Sequence, residues 1–165
     1  MIDFNVTLNL TNSNGESIMK ESVNVNFSLK KDDIALIFDN AGHPHGIDYW
    51  GCISKRKPKD DENSVAKMVY NDQDLDDPDA NFPNLREECP DLLLNGQSVY
   101  VLEIEEDTNS TIIGVHELNI EKLVNAFAKY IDAVIHGESV TLETGQPELG
   151  DYIIQEAIFG EQRYC

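Results

Sequence analysis

The sequence predicts an α+β fold: an antiparallel sheet of two hairpins plus added strands, with helices packed on one face. Three observations carry this. Near the start, Phe4, Val6, Leu8 and Leu10 alternate with polar residues, and Val23, Val25, Phe27 and Leu29 do the same, which is the period-two pattern of half-buried strands. Near the end, apolar residues recur at helical spacing from 120 to 136 and from 148 to 159. Strand patterns thus precede helical ones, an order typical of α+β domains.

Taken in order, Asn12-Ser13-Asn14-Gly15 supplies the turn chemistry between the first two strands. A short helix is expected at about 32–40, with Asp32 and Asp33 at the positive end of its dipole and Ile34, Ile37 and Phe38 facing inward. Gly42 and Pro44 would end it. Ile47 to Ile53 reads as a strand in which Tyr49 and Trp50 bury large rings. Lys55 to Glu62 reads as a charged, exposed connection, and Val65 to Tyr70 as the returning strand. A long acidic surface excursion at about 71–91 holds three prolines, and Leu92-Leu93-Leu94 would pin its end. Ser98 to Glu105 and Thr111 to Val115 form a second hairpin with an acidic tip. The next helix, 120–136, has Asn119 as N-cap and one stripe of Ile120, Leu123, Val124, Phe127, Ile131, Val134 and Ile135. Gly137 would terminate it. The last helix buries Ile153, Ile154, Ala157 and Ile158 and stops at Gly160.

At 165 residues, one domain spanning 1–165 is the expectation. No apolar run is long enough to span a bilayer, and Met1-Ile2-Asp3-Phe4 has no signal-peptide character. Cys52, Cys89 and Cys165 are odd in number and widely spaced, which fits free thiols in a reducing bacterial cytoplasm.

Charge is the strongest functional signal. The formal net charge is −19. Between Asp60 and Asp107 stand fifteen Asp and Glu against two basic residues, Lys67 and Arg86. Such crowding opposes compaction, and it repels bare nucleic acid and anionic membranes. It suits a basic protein partner, with candidate contact residues Asp72, Asp74, Asp76, Asp77, Asp79, Glu87, Glu88, Glu103, Glu105, Glu106 and Asp107. Glu103 and Glu105, alternate residues of one strand, would lie about 6.6 Å apart on one side and could stand in for a row of phosphates. A homodimer is compatible with this reading.

The motifs that could carry catalysis fall short. Asp72, Asp74 and Asp76 have the 1-3-5 spacing of an EF-hand loop, but position 6 is Asp77 and position 12 is Pro83, where Gly and Glu are needed. His43 and His45 with Cys52 and Cys89 lack the tight Cys pair of a structural zinc site. No nucleophile elbow, Walker loop or dinucleotide turn accompanies the thiols and histidines. No catalytic residue, metal or cofactor is therefore expected, and a metal- or thiol-dependent enzyme is the alternative of another class.

Gly46-Ile47-Asp48-Tyr49-Trp50 resembles a motif in small acidic proteins encoded by bacteriophages and prophages. Ile153-Ile154-Gln155-Glu156-Ala157-Ile158-Phe159-Gly160-Glu161 resembles their closing segment, and the helix after Asn119 holds a similar place. The chain departs from that pattern at Gly51 and in its ending Gln162-Arg163-Tyr164-Cys165. The resemblance implies a phage origin and carries over no catalytic residues. It implies an inhibitor of a host defence enzyme, such as a CRISPR effector or restriction nuclease, acting partly by DNA mimicry. An immunity protein against a nuclease toxin is the alternative.

Overall fold

The computed structural model describes residues 2–8, 23–42, 47–71, 82–105, 110–135 and 147–164. The fold is α+β, and its strands divide between two antiparallel sheets. β1 (Ile2–Leu8) pairs with β2 (Val23–Leu29), with Phe4 opposite Phe27. The second sheet has the order β3 (Gly51–Ser54), β4 (Val99–Ile104), β5 (Ile112–Leu118). The turn at 12–15, Gly137, His43, His45, His136 and the EF-hand-like aspartates lie outside the described residues.

The helical layer joins the two sheets. α1 (Lys31–Ala41) and α4 (Ile120–Ile135) both pack on α5 (Pro147–Phe159); α4 also touches β1, and α5 touches β5. The α1–α5 approach depends on Gly150, where a Cβ would overlap the Ile37 carbonyl oxygen and crowd the Ala41 nitrogen. The main core gathers Ile34, Phe38, Trp50, Val101, Leu123, Tyr130, Ile153 and Ile154. On β4, the face opposite Val101 carries Leu102, which is also fully buried. β4 is therefore buried on both faces at its centre, as the apolar residues on both sides of the 98–105 strand lead one to expect. Among the described residues no helix is long and apolar enough to cross a membrane.

Local chemistry explains the elements that match. The Lys30 amide donates to Asp33 Oδ2 (2.8 Å) at the start of α1, and Ile34, Ile37 and Phe38 are buried. Asn119 caps α4 by accepting from the Lys122 amide (3.0 Å). Gly160 ends α5 with φ +75°, a left-handed conformation that glycine adopts at no steric cost. Ala157 and Ile158 are half-buried, less than expected.

Four expectations about the elements need correction here. Residues 65–71 form a helix, α2 (Val65–Asn71), where a strand was expected. The Ser64 hydroxyl accepts from the Lys67 amide (3.3 Å), and this cap outweighs the strand preference of Val65, Val69 and Tyr70. Ile47–Tyr49 is a 3₁₀ turn, so the strand starts only at Gly51, and Tyr49 is exposed while Trp50 is buried. The acidic excursion ends in a helix, α3 (Glu88–Leu94), preceded by a turn in which the Asn84 side chain accepts from the Arg86 and Glu87 amides, and followed by Gly96 at φ +77°. Finally, the α4 stripe is split. Leu123, Ala126 and Tyr130 are buried, whereas Phe127, Ile131 and Val134 are only half-buried.

Tyr130 is completely buried, and its hydroxyl has no hydrogen-bond partner among the described residues. Burial pushes its pKa up, since an ionised phenolate there would be costly. Tyr130→Phe is expected to leave stability unchanged or raise it by about 1 kcal/mol, because it removes an unsatisfied polar atom and little volume. Urea unfolding checks this; a loss above that size would reveal a hidden partner.

Candidate functional site

Two groups of side chains bear on a site: the acidic residues singled out from sequence, and an aromatic-polar clasp around Trp50. Asp72, Asp74, Asp76, Asp77, Asp79, Glu106 and Asp107 lie outside the described residues. Glu87, Glu88, Glu103 and Glu105 are described, and the structure uses them differently.

Glu87 and Glu105 are exposed. Glu88 pairs with Lys55 (2.9 Å) and accepts from the Asn84 amide (2.7 Å). The Lys55 and Asn84 hydrogen bonds together hold its carboxyl below its ordinary value. Asp91 pairs with Lys31 (2.6 Å). Asp60 and Asp61 are exposed, but the neighbouring Glu62 turns inward, which corrects the reading of 55–62 as wholly exposed. Its carboxylate is fully buried and receives two hydrogen bonds from Arg56 (2.6 and 2.9 Å) and one from the Lys59 amide (2.7 Å).

Glu103 and Glu105 do not form a simple row. The β4–β5 register shifts at Glu103/Ile104, and β4 ends at Ile104. The Glu105 amide still donates to the Thr111 carbonyl (2.9 Å), with its side chain in solvent. Glu103 belongs to the clasp. Its carboxylate accepts from the Tyr164 hydroxyl and lies 3.0 Å from His116 Nε2.

The clasp holds the residues after α5 against β3 and β4. The Tyr164 ring lies parallel on Trp50, with centroids 4.9 Å apart. The buried Gln155 amide reads the backbone of this segment. Its Oε1 accepts from the Arg163 and Tyr164 amides (2.7 and 2.8 Å), and its Nε2 donates to the Tyr164 carbonyl (2.9 Å). Asp151 supports the arrangement from below, accepting from Trp50 Nε1 (2.9 Å) and Gln155 Nε2 (2.7 Å). Arg163 covers the Phe159 ring at 4.3 Å, while His116 meets that ring edge-on.

Sequence reasoning missed this group. Trp50 is about a hundred residues away from Asp151, Gln155 and Tyr164 in the chain, and only Gln155 and Asp151 at i, i+4 on one helix offer a local sign of a polar pair. The arrangement consumes the hydrogen-bonding capacity of its members in holding the segment, which is a structural use of them.

The titration of the clasp has two opposing parts. Burial pushes the Glu103 carboxyl up, but the hydrogen bonds from Tyr164 and His116 outweigh it and hold the group below its ordinary value. Glu103 therefore stabilises the fold at pH above the ordinary glutamate range, and this is lost as pH falls through its lowered folded value. Asp151 goes the other way. Burial raises its pKa despite the Trp50 and Gln155 bonds, so its charged form costs stability at neutral pH, and acid relieves that cost. Trp50 is the only tryptophan and reports on the stacked Tyr164. Acidification is expected to change Trp50 emission before global unfolding, and Glu103→Gln is expected to flatten that early change. Identical acid titrations of the two proteins would show that Glu103 does not hold Tyr164.

Among the described residues no three His, Cys, Asp or Glu are grouped to hold a metal ion. Burial pushes the thiols of Cys52 and Cys89 up to about 12, so neither is a thiolate nucleophile at neutral pH.

The fold and these side chains define a small, strongly acidic α+β domain in which the described carboxylates divide between internal structural roles and open solvent. No family model, curated protein or solved structure matches the chain.

Proposed function

We propose that this chain is a phage-encoded acidic inhibitor that binds a basic, nucleic-acid-handling defence enzyme in the bacterial cytoplasm. The enzyme would be of the CRISPR-effector or restriction type, bound partly by DNA mimicry. One observation carries the reading: residues 60–107 hold fifteen acidic side chains against two basic ones. The fold adds a refinement. Glu62 and Glu103 are engaged within the chain, and Glu88 and Asp91 are surface carboxylates paired with Lys55 and Lys31, so the contact surface is drawn chiefly from the exposed Asp60, Asp61, Glu87 and Glu105 and from the acidic run at 72–79. An excess of exposed carboxylates steers association with a basic groove and weakens with salt. The high pKa values of the two described thiols weigh against the thiol-enzyme alternative.

The test has two stages. Affinity capture from a bacterial lysate, washed at low and then high salt, is expected to retain a nuclease or effector complex that salt releases. Replacing Asp72, Asp74, Asp76 and Asp77 together by Asn is then expected to weaken binding of that target and flatten its salt dependence, with thermal stability unchanged. Equal affinity of both proteins across the salt range would remove this run from the interface.

A further inference from the structure

The half of the α4 stripe that stays out of the core opens onto a groove of about 550 Å³. α4 lines it with Phe127, Ile131 and Val134, and α1 with Asp33, Leu36, Ile37 and Asn40. Each set follows i, i+3 or i+4, i+7, so each helix presents one face over two turns, a length of about 10 Å at ~1.5 Å per residue. α1 and α4 both pack on α5, whose Leu149 and Ile153 form the floor. Leu36 is 45% exposed, a large apolar side chain left open to solvent.

We infer that this groove docks an amphipathic helix of the partner protein, which packs apolar side chains between α1 and α4 and sets a Lys or Arg toward Asp33. Two facing helical ridges over a third helix are the receiving half of ridge-into-groove packing, and the length suits two turns of a guest. Among the described residues the lining is apolar apart from Ser28, Asp33 and Asn40, and the charged group among them is the Asp33 carboxylate. In a chain of net charge −19, that carboxylate complements a basic segment. The inference rests on the reading of the partner as basic, and it adds a second, mainly apolar contact to the acidic one.

The probe is a synthetic helical peptide of about four turns with Leu at i, i+4 and i+7 and Lys elsewhere, beside an isomer with the same residues shuffled. Both are titrated into the full chain by fluorescence anisotropy. The patterned peptide is expected to bind about tenfold tighter or more, since apolar anchors dominate such contacts. Leu36→Glu is expected to abolish that preference even though it makes the protein more acidic. Because Leu36 is substantially exposed, the variant should keep its circular dichroism. Equal binding of the two peptides, or an undiminished preference in Leu36→Glu, would overturn the inference. So would a dimer in sedimentation equilibrium that Leu36→Glu dissolves, which would make a second copy the occupant. Saturable binding of the neutral dye N-phenyl-1-naphthylamine, lost in Leu36→Glu and without any peptide preference, would instead assign the groove to a small apolar ligand. The four-Asp→Asn variant separates this result from the acidic-interface reading: it should weaken both peptides alike and leave the preference intact.

Discussion

Trp50→Ala is expected to destabilise the protein by about 3–5 kcal/mol, the range for truncating a large buried aromatic. Trp50 is 3% exposed and packs on both Tyr164 and Phe159. The loss has a second component. Asp151 is itself buried, and without the indole N–H it keeps only the Gln155 donor of the two described here. An under-satisfied buried carboxylate costs more than a lost surface contact. Trp50→Phe separates the two parts, retaining most of the ring but not the donor, and about 1–3 kcal/mol is expected for it. For a chain of this size each kcal/mol shifts Tm by about 2–4 °C, so Trp50→Ala should melt roughly 10 °C lower. Urea unfolding followed by circular dichroism is the measurement, since the variant has no tryptophan to follow. A loss below 1 kcal/mol for Trp50→Ala would mean that the clasp contributes nothing to the fold.

The second large effect is expected at Glu62. Its carboxylate is wholly sequestered by Arg56 and the Lys59 amide, and the Arg56 side chain is only 26% exposed. Removing one member of a buried ion pair costs about 3–5 kcal/mol. Glu62→Ala is therefore expected to approach the Trp50→Ala loss, although Glu62 sits in a run that reads as surface. The paired replacement Arg56→Met with Glu62→Leu is expected to recover most of it, because apolar residues of similar length can fill the same space without desolvating a charge. Chemical denaturation of the single and double variants decides the point. If Glu62→Ala behaves like Asp61→Ala, the pair is a surface feature and the buried geometry is wrong.

These two positions show where the sequence was readable. Trp50 was expected to be buried because a large ring beside an apolar run has few other uses. Its neighbour Tyr49 was assigned the same fate and is exposed, because a 3₁₀ turn at Ile47–Tyr49 breaks the alternation that would have set their faces. Glu62 looked like Asp60 and Asp61. Only the return of the chain, which brings Arg56 against it, distinguishes the three.

The sequence by itself determined the α+β class, the N-terminal strand pair, the β4–β5 hairpin and helices α1, α4 and α5. Their signals are local: period-two or helical spacing, an Asn119 cap and a Gly160 stop depend on residues within a few positions of one another. The division of strands into two sheets was decided by tertiary structure, as were the choice of helix over strand for 65–71, the clasp and the split of the α4 stripe. Each of these depends on which surfaces meet. Amphipathic periodicity tells how much apolar surface a helix offers, whereas the neighbours decide how much of it is covered. Phe127, Ile131 and Val134 belong to the same stripe as Leu123, yet they face a groove because α1 and α4 are both set on α5 with space between them. Charge counting likewise finds the acidic excess, while only the fold shows that Glu62, Glu88, Asp91 and Glu103 are held by Arg56, Lys55, Lys31 and the Tyr164–His116 pair.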